Sequence, residues 1–235
     1  MDSKLPTHVA IIPDGNRRYA SQHGLSRFEG HQAGADRMHE VVDVLIQRGI
    51  KYLTVWGFST DNWKRTSDEV QSILQLLQHW IEKDTPWLHS QGVKLKHIGR
   101  FQELPESLQD VIVMAVDITK DNKGMTLNLA FNYSGRAEIV DAINHLIVQG
   151  IPFKKGNIPD VTEELFSRYL YTNGMPDVDL VIRTAKEFRL SNFMLWQVAY
   201  SEFYFTDKLW PDFDSEELNK ALESYAHRER TFGGG

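Results

Sequence analysis

An α/β fold around a central, mostly parallel sheet is predicted by three observations. Short apolar or β-branched runs alternate with longer segments of helical period, the signature of βα units. The chain has 235 residues, 41% of them hydrophobic, which suits one large core better than two small ones. It shows no repeat, low-complexity tract or interdomain linker, so residues 1–235 are expected to form a single domain.

The elements follow in order. Strands are expected at His8–Ile12, Tyr52–Gly57, Val93–Ile98, Met125–Phe131, Val178–Ile182 and Phe203–Phe205. A helix over Ala33–Gln47 carries Val41, Val42, Val44 and Leu45 and stops at Gly49, where a C-terminal glycine fits. The next, Ser67–Lys83, opens close to a capping arrangement and runs through Ile73, Leu74, Leu77 and Trp80. Leu108–Ile118, Arg136–Val148, Glu163–Leu170 and Ser215–Tyr225 complete the helices, with a loop at Gly150–Pro159.

Composition narrows the function. A formal net charge of −6 argues against nucleic-acid binding and makes any positive charge local. Zero cysteines exclude disulfides, thiolate metal sites and cysteine nucleophiles. The start Met-Asp-Ser-Lys-Leu-Pro lacks a signal-peptide core, and no run approaches a membrane span, so a soluble cytoplasmic protein is expected.

Two strand ends carry the chemistry. Arg183, Arg189 and Ser191 follow the Val178–Ile182 run, and Asp14, Gly15, Asn16, Arg17, Arg18 and Tyr19 follow the first strand. Guanidinium groups grip phosphate through a planar fork, and backbone N–H groups at a helix start favour anions. Neither a G-x-G-x-x-G nor a G-x-x-x-x-G-K-[ST] pattern is present. Two anion sites without a nucleotide loop suggest two phosphorylated substrates.

Pro13-Asp-Gly-Asn-Arg-Arg-Tyr-Ala20, Phe58-Ser-Thr-Asp-Asn-Trp-Lys-Arg65, Phe131-Asn-Tyr-Ser-Gly-Arg136, Arg189-Leu-Ser-Asn-Phe193 and Trp196-Gln-Val-Ala-Tyr-Ser-Glu202 resemble the cis-prenyltransferases, the undecaprenyl diphosphate synthase family. The match runs from His8 to Gly235. It implies a homodimer with an apolar substrate tunnel and Mg²⁺-dependent transfer of an allylic prenyl diphosphate to isopentenyl diphosphate. It also implies peripheral membrane contact only through the lipid product. Asp14 matches the catalytic, metal-associated aspartate, with Glu202 as second metal carboxylate. Gly15, Asn16, Arg17, Arg18, Arg27, His31 and Arg65 match the donor diphosphate site. Phe58, Ser59, Asn62, Trp63 and Glu69, with Tyr19, match the lid and substrate-binding segment, in which Asn62 is counted as catalytic. Arg183, Lys186, Arg189 and Ser191 match the acceptor diphosphate site. Gly57 stands at the implied tunnel entrance, and Leu127 or Leu129 near its floor.

The chain departs from the pattern in places. Pro13, Arg17 and Tyr19 replace Met, Gly and Trp of many bacterial relatives, and the resemblance gives the Arg-Arg-Tyr form to archaeal and eukaryotic relatives, a difference of lineage, archaeal-type or noncanonical, rather than of lost activity. Ala185 and Lys186 replace the two small residues of R-T-S-G-E or R-T-G-G-E, Thr231 replaces a C-terminal arginine, and Arg100 stands where Asp often follows Gly. Lys186 is expected to restore the missing charge. Three functional readings follow from the resemblance: regular elongation with isopentenyl diphosphate, head-to-middle coupling onto dimethylallyl diphosphate, and a noncatalytic supporting subunit. Asp14, Arg18 and Arg27 speak against the last.

Overall fold

In the computed structural model, which describes residues 5–149 and 161–228, the apolar runs assemble into one six-stranded sheet. Its strands are β1 (His8–Ile12), β2 (Tyr52–Ser59), β3 (Lys94–Ile98), β4 (Thr126–Tyr133), β5 (Leu180–Arg183) and β6 (Glu202–Phe205). They lie in the order β3-β4-β2-β1-β5-β6, and every pairing is parallel. The helices are α1 (Asn16–Gln22), α2 (Arg27–Gln47), α3 (Ser67–Ser90), α4 (Glu106–Thr119), α5 (Gly135–Val148), α6 (Glu163–Ser167) and α7 (Ser215–Ala226).

Parallel strands covered on both faces need apolar residues on both. Val9, Ile11, Leu53, Val55, Leu127, Leu180 and Ile182 join the larger core cluster, which also takes residues of α2, α3, α4 and α7. The alternate positions Ala10, Ile12, Ala130 and Val181 belong to a second cluster with Tyr133, Phe193 and Met194. This period of two follows from the pleat.

Three helices differ from their expected bounds by three or more residues, α6 ending at Ser167 rather than Leu170. Helix α2 begins at Arg27 rather than Ala33, because Ser26 and Glu29 form a reciprocal capping box; its opening residues Arg27–Gln32 carry a single apolar side chain, the exposed Phe28, and so no helical period. Helix α3 continues past Lys83 through Pro86 to Ser90. A proline inside a helix costs about 3 kcal/mol, but Leu88 is completely buried beyond it, and that anchorage carries the helix through. The expected loop at residues 150–159 and Thr231 lie outside the described residues. Among the described residues, no helix is long and apolar enough to cross a membrane.

Candidate active site

Binding sites of parallel sheets form beyond the C-terminal ends of the strands. Here β1 and β5 are neighbours, with Ile12 opposite Arg183, so the two arginine-bearing segments emerge side by side. Asp14 and Arg183 meet there: Arg183 Nη2 donates to Asp14 Oδ2 at 2.9 Å. Thr184 fixes the aspartate's backbone, its Oγ1 accepting from Asp14 N at 2.8 Å. Gly15 then turns the chain into α1 with φ 108°, a left-handed conformation. A Cβ at Gly15 would also lie 2.9 Å from Leu209, so only glycine fits.

The residues after β5 lock one another. Arg183 is almost fully buried, and its Nη1 donates to Ser191 Oγ at 2.8 Å and to the Arg189 carbonyl. Arg189 Nε reaches the same Ser191 hydroxyl at 3.1 Å. Glu187 bridges the two strand-end clusters: it pairs with Arg189 and accepts from Arg18 Nη2 at 3.1 Å. Sequence reasoning did not single out Glu187, although it closes the Arg183-Thr-x-x-Glu pattern.

A second cluster converges from four segments. Arg27 and Arg65 donate to Glu69 at 3.1 and 3.0 Å, and Arg17 stands 3.9 Å from it. One carboxylate among three guanidinium groups leaves the cluster positive. His31 borders it, with its pKa lowered by burial first and by nearby Arg65 next. Its Nδ1 lies 3.4 Å from the Asn16 amide nitrogen; with that nitrogen donating to Nδ1, the proton of a neutral imidazole sits on Nε2. Nε2 is buried without a partner, as is Asn16 Oδ1. An anion accepting from Nε2 would relieve one of these deficits.

Both clusters face a cavity of about 1120 Å³. Asp14, Gly15, Asn16, Arg17, Arg18, Arg27 and His31 line it, as do Phe58, Ser59, Asn62, Arg65, Arg183, Arg189 and Ser191. Its apolar lining comes from Met38 of α2, Val55 and Leu129 of the sheet, and Ile73, Leu76, Leu77 and Trp80 of α3. Gly57 lines it too, whereas Leu127 does not.

Five expected site residues stand elsewhere. Tyr19 stacks on His23, with ring centroids 4.1 Å apart. Trp63 packs edge-on against Phe58 at 5.3 Å, behind the cavity wall. Glu69 touches the cavity only through its arginines. Lys186, expected to restore charge at the second diphosphate, sends its ammonium to Asp207 at 3.5 Å and lines no part of the cavity. The cause is local, because Lys186 sits in a left-handed backbone conformation that turns its side chain outward beside Asp207. Glu202 opens β6 opposite Leu180, three residues below Arg183 along the sheet, and pairs with Arg228. At about 3.3 Å per residue, it is not brought to Asp14 within this chain. Arg100, the departure noted at the end of β3, donates twice to Asp141, at 2.9 and 3.0 Å.

Comparison with known proteins places this architecture. The family model described as "Putative undecaprenyl diphosphate synthase" matches residues 12–233. An isoprenyl transferase of Fusobacterium nucleatum is 50% identical, covering 100% of this chain and 98% of that protein. One from Thermotoga maritima is 46% identical, over 98% of each. Lavandulyl diphosphate synthase from Lavandula x intermedia, solved with dimethylallyl diphosphate, superposes with a TM-score of 0.91 at 40% identity, covering 97% of this chain and 98% of that one. A probable undecaprenyl diphosphate synthase from Campylobacter jejuni gives 0.81 at 30% identity, covering 98% and 99%. With two arginine clusters opening onto one part-apolar cavity at the strand ends, and with these matches along its whole length, the chain belongs to the undecaprenyl diphosphate synthase family and is a cis-prenyltransferase.

Proposed function

We propose that the protein condenses an allylic prenyl diphosphate with isopentenyl diphosphate to give a longer polyprenyl diphosphate, in one catalytic domain spanning the chain. A single observation carries this reading: one cavity joins two separate guanidinium clusters to a lining of aliphatic side chains and Trp80. Two diphosphates and a hydrocarbon chain need that combination.

The donor diphosphate fits the cluster of Arg17, Arg27, Arg65 and His31, with Asn16 and Arg18 beside it. The acceptor diphosphate fits Arg183, Arg189 and Ser191. In the reaction the allylic C1–O bond breaks and the diphosphate leaves with the electron pair. The acceptor double bond then attacks C1 through its C4, and a proton is lost from C2. Negative charge grows on the leaving oxygens, where fixed guanidinium groups and the His31 Nε2–H act more strongly than in the ground state. Phe58 and Phe131 stack at 5.1 Å and both line the cavity, keeping water from the cationic carbon. The aliphatic lining serves as the tunnel for the growing chain.

Asp14 suits Mg²⁺. Among the described residues no group of three or more His, Cys, Asp or Glu could hold a metal. Mg²⁺ commonly takes one or two carboxylates and completes its shell with phosphate oxygens and water, so Asp14, which lines the cavity between the two arginine clusters, fits an ion that arrives with the diphosphate. When bound, Mg²⁺ supplies charge neutralisation on the leaving group.

A homodimer formed through β6 fits the sheet edge. β6 pairs only with β5 among the described residues. Its Phe205 stacks with Phe203 and meets Phe188, which is 66% exposed.

The test is incubation of the purified chain and Mg²⁺ with a panel of allylic diphosphates, each with isopentenyl or dimethylallyl diphosphate, followed by product identification. Lengthened products with isopentenyl diphosphate alone are expected. Branched products with dimethylallyl diphosphate, or no turnover without a second protein, would refute the reading.

A further inference from the structure

The short 3₁₀ turn Thr60–Lys64 after β2 carries Asn62 into the cavity wall and leads directly to Arg65. A lone turn of this length has little stability of its own, so something else must set its position. Within it, the Asn62 side chain is committed to its own turn, accepting from Ser59 N at 2.9 Å. Two side chains tie the turn to the rest of the molecule: Thr60 Oγ1 at its start donates to Ser134 Oγ at 2.9 Å, and Trp63, next to Asn62, donates from Nε1 to Asn132 Oδ1 at 2.7 Å.

Asn132 lies near the end of β4, fully buried, with φ 51°. Its amide nitrogen donates to the Arg100 carbonyl at 3.0 Å and to Glu103 at 3.1 Å. The amide therefore faces the turn with its oxygen and the β3 corner with its nitrogen. That corner is rigid in its own right, since Arg100 grips Asp141 with two bonds and Tyr171 donates to the same carboxylate. A non-glycine residue held in a left-handed conformation persists only where its surroundings over-determine it, and three directed hydrogen bonds do so here. Asn132 itself does not line the cavity. Its side-chain amide reaches the cavity wall through Trp63, which in turn supports the ring of Phe58 there.

We propose that Asn132 is a positioning residue for prenyl transfer: its side-chain amide clamps the Trp63 indole to the Arg100–Asp141 corner and so sets Asn62 and Arg65 over the donor diphosphate. The inference rests on the donor site assigned above. Asn132→Gly tests it cleanly, because glycine accepts the left-handed backbone and keeps the Asn132 carbonyl that accepts from Arg100 N. Trp63→Phe removes the other half of the clamp while keeping an aromatic ring beside Phe58.

Turnover should be measured for wild type, both single variants and the double variant, with kcat, the KM of each substrate and Tm recorded for each. One buried hydrogen bond corresponds to about a three- to tenfold loss, expected in kcat/KM for the donor, with the acceptor KM unchanged. The double variant should lose no more than the worse single one, since both remove the same bond. Losses that multiply, an unimpaired Trp63→Phe, or a lowered Tm with wild-type kinetics would each overturn the inference and leave Asn132 a structural residue. A wild type without turnover would instead overturn the functional reading, and this inference with it.

Discussion

The two ends of the polar cavity hold their arginines in opposite ways. At the donor end, Arg17, Arg27, Arg65 and Glu69 come from α1, α2, the segment after the 3₁₀ turn and α3, and meet only because those elements pack. At the acceptor end, Arg183, Glu187, Arg189 and Ser191 belong to one short stretch, and the backbone does the positioning. Ala185, Lys186, Ser191, Asn192 and Met194 all have positive φ, from 43° to 71°. Such conformations cost non-glycine residues roughly 1–2 kcal/mol each, less for asparagine. The donor end is thus held by tertiary packing and the acceptor end by a strained local fold. Asp14–Arg183 and Arg18–Glu187–Arg189 tie the two together.

The strongest way to break this division is at the tie. Asp14→Asn keeps an acceptor for Arg183 but removes the charge that suits Mg²⁺, and kcat is expected to fall on the order of 100- to 1,000-fold with the fold intact. A folded variant with wild-type kcat at saturating Mg²⁺ contradicts the role given to Asp14. The division itself is sharpened by a pair of variants. Arg27→Ala should weaken the donor, and Arg189→Ala the acceptor, each by about ten- to 100-fold, the scale of a charge-assisted bond. Separate titrations of the two substrates check this, and equal losses for both substrates in both variants would mean the sites are not separate.

The same contrast explains what the sequence disclosed. The sheet was legible because its strands are short apolar runs or, in β3, a polar–apolar alternation, and the two strand-end motifs were legible because strand, turn and arginines are contiguous. The start of α2 was not, since Phe28 is the one apolar side chain in its first six residues and shows no period, and neither was the passage of α3 through Pro86, which depends on the burial of Leu88. At the site, motif matching carried Asp14 and the arginines to the cavity. It could not foresee where Lys186 points, because that depends on a φ of 59° and on Asp207, twenty-one residues away in sequence. It named Glu69 but not the three arginines that gather on it, and it missed the Glu187 bridge to Arg18, because those partners are brought together only by folding.

The strain at the acceptor end has its own consequence. Ala185 and Lys186, at φ 69° and 59°, occupy positions suited to glycine. Ala185→Gly and Lys186→Gly should each relieve roughly 1 kcal/mol, raising Tm by about 2–4 °C in a chain of this length. Because the Lys186 ammonium faces Asp207, Lys186→Gly should leave acceptor KM unchanged. A rise in acceptor KM would show that the lysine turns into the cavity when substrate binds, and a fall in Tm that its backbone is not strained.

The smallest expected effect separates the two ends by pH. His31 is the titrating group at the donor end, whereas the acceptor cations are guanidinium groups that stay charged throughout. Burial and the neighbouring arginines hold the His31 pKa below its ordinary 6.5 in the free protein. Its folded-state value being lowered, the stability it contributes is complete above pH 6.5 and declines as pH falls toward the lowered value. A diphosphate beside Nε2 favours the protonated ring, so donor binding takes up a proton and donor affinity should rise as pH drops below about 6.5. Both substrates carry diphosphates that also titrate, but that contribution cancels in the ratio of the two KM values. The ratio of donor to acceptor KM should therefore fall with decreasing pH. His31→Gln, which keeps a hydrogen-bonding side chain but cannot titrate, should flatten it. A slope that persists in that variant would place the titrating group elsewhere and leave the donor end, like the acceptor end, held by permanent charge alone.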